Sequence, residues 1–293
     1  MTAQRDGGQP SAARPGAARP IGLHQISVMD TDPLQFVEVA AAAGCDRISI
    51  FTCSPVPVLP GQKSRLLFPT VTREMQHDMQ QRLAAHGVAV VGVEYFPITA
   101  AIDVAEYVPG LALGRALGAV RAVTHIHDTD SARAADKLGA LCDLAAQEGL
   151  SIGLEFTSLT RGCGSIQRAA WFVDQINRSN FGIGVDCLHL VRSGGTVKDL
   201  EDLKPRYFGY AQICDGFGLS ASSDYMTESH DRQLPGDGDF PLEAIIRALP
   251  AGVALEVEVP SDTRLKAGVT AVEHARKAMA QARLLVDRAL PSH

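Results

Sequence analysis

The sequence predicts an α/β protein of the (β/α)8 class, a single-domain TIM barrel, and three observations predict it. Eight short apolar runs alternate with segments of helical period along the chain. The length of 293 residues is one at which such barrels form a single domain. The first apolar run, IGLHQISVMD, is not followed by the GxGxxG turn that a doubly wound sheet would want.

Residues 1–20, rich in Ala, Arg, Gly and Pro, read as a disordered tail without the apolar stretch of a secretory signal, and the barrel is expected over residues 21–293. The first strand is expected over Ile21–Val28 and the first helix over Leu34–Ala43, closed by Gly44, because a left-handed cap needs no Cβ. A strand at Arg47–Phe51 and a helix at Thr70–His86 follow, then a strand at Ala89–Glu94 and a helix at Val104–Leu117, with Gly87 and Gly118 as stops. Next come a strand at Val120–His125, a helix at Ser131–Gln147 ending at Gly149, a strand at Ser151–Glu155 and a helix at Ser165–Ile176. The last part reads as a strand at Gly182–Asp186, a short helix at Lys198–Leu203 and a strand at Tyr207–Ile213. A helix at Pro241–Ala248, a strand at Val253–Val259 and a helix at Val272–Arg288 complete the count.

With 46% hydrophobic residues the chain can bury a large core, and its net charge of −6 comes without a basic stripe, which argues against a nucleic-acid partner. The six cysteines show no CxxC pair, and Cys187 and Cys214 lie inside apolar runs where Cys acts as a small hydrophobe. Reduced thiols in a cytoplasmic protein are expected rather than a disulfide framework. No run of eighteen apolar residues exists, so no membrane span is expected.

Four polar residues close or nearly close the last four expected strands: Glu155 in SIGLEF, Asp186 in FGIGVD, Gln212 in YFGYAQ and Glu258 in VALEVEV. A carboxylate beside a core must be paired, hydrated or bound to a metal. The C-terminal strand ends of a barrel form its active site, so the four should converge there. Three carboxylates and an amide oxygen suit a divalent cation, Mn²⁺ or Mg²⁺ first, with Co²⁺ or Zn²⁺ as further options. For any one acid, capping a helix or pairing with an arginine is the competing role. Glu256 faces the same side of its strand as Glu258 and is either the rival ligand or a buried, paired acid.

His189, three residues after Asp186 in VDCLHLVRSGG, reads as a loop imidazole that either meets a substrate oxygen, joins the metal shell or caps the next segment. Arg192 precedes Gly194–Gly195 and is expected either over an anionic or polyhydroxylated substrate or at the surface. HDRQLPGDGDFPL places Arg232 ahead of a glycine turn, with Asp239 as the expected helix N-cap; it reads as a substrate loop or a plain turn. His24, Glu94, His125 and His127 lie near the ends of earlier strands and are expected to line the opposite side of the pocket.

The ordered runs LEFTSLTRG, GVDCLHLVRSGG, YAQICDG, RQLPGDGDFPL and LEVEVP resemble the sugar phosphate isomerase/epimerase superfamily, with its xylose isomerase-like TIM barrel. Inosose dehydratases and ketose 3-epimerases are among its members. The resemblance covers nearly the whole chain after the tail and is strongest from Glu155 to Pro260. It implies a divalent metal held by Glu155, Asp186, Gln212 and Glu258, with His189 and Arg232 reaching the substrate. The E-V-P match favours Glu258 over Glu256. Gln212 stands where many relatives carry His, a form that a subgroup with Q-x-C-D shares. The implied chemistry removes a proton next to a carbonyl of a small polyhydroxylated substrate, with Glu155 and Glu258 as base and acid. In a dehydratase or lyase His189 would protonate the departing group. A non-catalytic sugar or sugar-acid binding barrel is the alternative, and an endonuclease IV-like phosphodiesterase a more distant one. Barrels of this type often pair, so a homodimer is also expected.

Overall fold

The computed structural model describes residues 19–53 and 68–291. Eight parallel strands close into one barrel in chain order. They are β1 (Ile21–His24), β2 (Arg47–Phe51), β3 (Ala89–Glu94), β4 (Arg121–Thr124), β5 (Ser151–Glu155), β6 (Phe181–Asp186), β7 (Phe208–Ile213) and β8 (Ala254–Val257). The seam is made by β1 pairing with β8, Leu23 opposite Val257.

Alternation along each strand decides what faces which way. One set, including Leu23, Ile48, Ile50, Ile152, Leu154, Ile183 and Leu255, is buried in the main apolar core. Removing each such side chain from water stabilises the fold by about 1.5–3 kcal/mol. The other set points into the barrel. Ser49 on β2, Arg121 on β4 and Glu256 on β8 are not on neighbouring strands, yet they hydrogen-bond one another across the interior. Tyr210 lies in the same layer, with the Arg121 guanidinium 4.0 Å from its ring centre. Its ring needs empty space on two strands: a Cβ on Gly153 would stand 2.5 Å from it, and one on Gly184 2.4 Å.

The helices shield the barrel from outside. They are α1 (Pro33–Ala42), α2 (Gln76–His86), α3 (Val108–Ala116), α4 (Ser131–Gln147), α5 (Ile166–Ile176), α6 (Cys187–Arg192), α7 (Val197–Glu201), α8 (Tyr225–Ser229), α9 (Leu242–Ala248), α10 (Asp262–Lys266) and α11 (Ala271–Ala289). Side-chain caps start many of them: Asp130 accepts from the first amides of α4, and Thr270 with Glu273 forms a capping box on α11. The stops at Gly44, Gly87, Gly118 and Gly149 all have positive φ.

Several boundaries differ from the sequence reading for local reasons. The first strand ends at His24, whose Nδ1 accepts from the Ile26 amide and turns the chain into a 3-10 segment. The helix expected from Thr70 begins only at Gln76. Pro109, which lacks an N–H, sits near the start of α3, so the expected Val104–Leu117 helix divides into a 3-10 turn and α3. Helices α6, α8 and α10 are additions, each too short to show a helical period. Of the expected tail, residues 1–18 lie outside the described residues, whereas Arg19 is already tied to the carbonyls of Val253 and Pro250. All six cysteines are free. Among the described residues, no helix is long and apolar enough to cross a membrane.

Candidate active site

Period-two alternation carries the site up from the interior layer. Two residues beyond Gly153, Gly184, Tyr210 and Glu256 stand Glu155, Asp186, Gln212 and Glu258, at the C-terminal rim of β5 to β8. All four are buried. What joins them is a chain of polar contacts. The Arg232 guanidinium spans two of the acids, with Nη1 2.6 Å from Asp186 Oδ2 and Nη2 3.0 Å from Glu258 Oε1. Gln212 donates from Nε2 to Glu258 Oε2, which leaves Gln212 Oε1 buried and without a partner among the described residues.

Glu155 is the centre of a second group. His189 Nε2 lies 2.9 Å from its Oε1 and His125 Nε2 3.6 Å from its Oε2. Tyr210 donates its hydroxyl to Oε2 at 3.2 Å. Burial alone would raise this carboxyl, but His125 and His189 outweigh it and hold Glu155 well below the usual carboxylate range. Glu258 goes the other way. Burial, reinforced by Glu155 and Asp186 and only partly opposed by Arg232 and His24, pushes it up to about 8. On the far side, His24 Nε2 lies 2.9 Å from Glu94 Oε1, although the two are not aligned for a hydrogen bond. Burial disfavours the charged imidazole, yet Glu94 and Glu258 raise His24 to about 10.

His189 is not a loop residue. It sits on α6, which begins immediately after β6 with Asp186 as its N-cap, Oδ1 accepting from the His189 amide at 2.8 Å. Its Nδ1 meets the Tyr225 hydroxyl, which also lies 3.2 Å from Thr157 Oγ1.

Other expectations are corrected or decided by local contacts. Arg192 is no substrate arm: all five of its N–H groups are engaged, by Glu228 and by the carbonyls of Phe217, Gly218 and Ser220. Asp239 does not cap α9, which starts after Pro241; its Oδ2 instead accepts from the Gly218 amide. The PGDG turn closes on Asp215, whose carboxylate accepts from the amides of Gly216, Gly236, Gly238 and Phe240. His127 pairs with Tyr95 Oη at 2.6 Å, and burial with the neighbouring His125 lowers it to about 3, which makes it a neutral acceptor. Glu256 is the buried, paired acid, held by Arg121 and Ser49.

The sequence reading passed over Tyr210, Arg121, Tyr225 and Tyr95. A signal existed for Tyr210, which is two residues before Gln212 and so on the same face. Nothing local pointed to Tyr225, because α8 approaches α6 only through the fold.

A barrel rim lined with acids, histidines and a buried arginine defines an enzyme-like site of the kind this fold carries. The model of the xylose isomerase-like TIM barrel family matches residues 37–284, and the chain belongs to that family. Two relatives share 28% identity over 117 residues: a 3-dehydroshikimate dehydratase of Pseudomonas aeruginosa and an inosose isomerase of Bacillus subtilis. The aligned part is 40% of this chain and 18% of the dehydratase, or 39% of this chain and 40% of the isomerase. Among solved structures, an IolI protein with a bound zinc atom is similar at a TM-score of 0.74 and 18% identity, covering 93% of this chain and 99% of that one.

Proposed function

We propose that the protein is a divalent-metal-dependent isomerase, epimerase or dehydratase that removes a proton next to a carbonyl of a small sugar-like substrate. The observation that supports this most is the meeting of Glu155, Asp186, Gln212 and Glu258 at one rim, with Gln212 Oε1 buried and unsatisfied among the described residues. The isomerase and the dehydratase among the relatives are of the reaction classes proposed.

The fit to a metal has two sides. As they stand, Asp186 and Glu258 are bridged by Arg232, and among the described residues no three His, Cys, Asp or Glu side chains stand together as an ion would need. In donor chemistry the set does fit: two carboxylates share one guanidinium, Glu155 adds a third at the same rim, and the Gln212 amide oxygen has no partner among the described residues. Zinc accompanies the IolI structure, but four oxygen donors suit Mn²⁺ or Mg²⁺ better. Glu155, Asp186, Gln212 and Glu258 would hold the ion, which when bound lowers the cost of negative charge on a substrate carbonyl oxygen. To hold an ion, Asp186 and Glu258 would have to release Arg232, whose guanidinium would then be available to substrate oxygens.

The chain's own groups divide the proton chemistry. Glu155 is ionised and serves as the base, and His189, between Glu155 and Tyr225, holds Glu155 Oε1 through its Nε2. Glu258 is the acid on the other face; in a dehydration His189 Nε2 would protonate the departing hydroxyl. The Arg232 bridge favours a second reading, a metal-free barrel that binds sugars or sugar acids without turnover.

Metal analysis after dialysis against Mn²⁺ should find about one ion per chain, and Glu155→Gln should abolish turnover of polyhydroxylated ketones while the protein stays folded. Undiminished activity after exhaustive chelation would overturn the metal requirement. Thermal protection by sugars without any turnover would select the second reading.

A further inference from the structure

We infer that Tyr210 is a positioning residue that fixes the Glu155 carboxylate from beneath; the inference rests on the role proposed for Glu155. Tyr210 is fully buried inside the barrel. β5 and β6 each give up a side chain so that its ring can lie under the rim, at Gly153 and Gly184. These are the positions two residues below Glu155 and Asp186, so the space is cleared directly beneath two of the site acids. Arg121 packs 4.0 Å above the ring and is itself held by Glu256 and Ser49, which leaves the ring no freedom to swing.

A phenylalanine would fill that slot equally well. What the hydroxyl adds is a hydrogen bond to Glu155 Oε2, its one partner among the described residues. His189 holds the other oxygen, so Glu155 is gripped at both ends, one grip from helix α6 at the rim and one from the barrel interior. Loss of such a supporting hydrogen bond typically costs ten- to a hundred-fold in metal affinity or activity, without loss of the fold.

Tyr210→Phe tests this through three measurements: thermal melting, calorimetric titration with Mn²⁺ alone, and the crystal position of Glu155, with kinetics added for an active protein. The expected result is a melting temperature near wild type, a displaced Glu155 that has left His189, and Mn²⁺ affinity and kcat lower by about ten-fold or more with KM nearly unchanged. An unmoved Glu155 with wild-type Mn²⁺ affinity overturns the inference. So does a collapse of stability with kcat intact, which would make Tyr210 a packing residue only. A wild-type protein that neither binds Mn²⁺ nor turns over any substrate removes the functional reading instead, and the crystal position of Glu155 in the variant still decides the positioning role.

Discussion

Replacing Glu256 by glutamine separates the two acids of β8 by their energetics. Glu256 is buried and faces Arg121, and neither group has access to solvent that would relieve the loss of its partner. Glu256→Gln leaves the Arg121 guanidinium charged in the barrel interior. Removing one member of a buried ion pair costs about 3–5 kcal/mol. At roughly 2–4 °C per kcal/mol for a chain of this size, the melting temperature should fall by roughly 6–20 °C. Urea unfolding with an unchanged m-value gives the free energy directly. The double variant Arg121→Met with Glu256→Leu should recover most of the loss, because both charges leave together. Glu258→Gln, by contrast, leaves Arg232 paired with Asp186 and should lose ion binding well before it loses the fold. A Glu256→Gln protein within about 1 kcal/mol of wild type would refute the assignment of Glu256 to structure.

Three further outcomes follow from particular contacts. His127 has its folded pKa lowered to about 3 by burial and by His125, beneath the 6.5 of a free imidazole, so the unfolded chain takes up the proton first. Stability should therefore be fully present above pH 6.5 and decline as pH falls toward 3; His127→Gln, which keeps an acceptor for Tyr95, should flatten part of that decline in urea melts at stepped pH, and an unchanged slope counts against it. Gly184→Ala puts a methyl 2.4 Å from the Tyr210 ring and should destabilise by about 1–3 kcal/mol; wild-type stability in the same melt would show that the slot is loose. Arg192→Met should speed amide exchange across residues 217–220 without changing substrate affinity, and a large rise in KM would restore Arg192 to the substrate.

Eight-fold alternation was legible because each strand is short, apolar and bounded by turn residues, and the strand ends at Glu155 and Asp186 were readable to the residue. The four rim positions were also legible, since a polar residue at the end of an apolar run stands out locally. What could not be read was pairing. Arg232 lies twenty residues beyond Gln212, yet closes on Asp186 and Glu258 only through the β7–α9 connection. Arg192 looked free because nothing in VRSGG reveals the carbonyls of residues 217–220 around it. Helix α6 was hidden because six residues carry less than two turns of periodicity.

Asp186 performs two duties with its two oxygens. One receives the His189 amide and starts a helix; the other faces Arg232. Architecture and reactivity therefore share a single side chain, and exchange of this acid for a hydrophobe would misdirect the imidazole as well as strand a cation. Asparagine could retain the first duty while forfeiting the charge, so one substitution would split the helix start from the hold on Arg232.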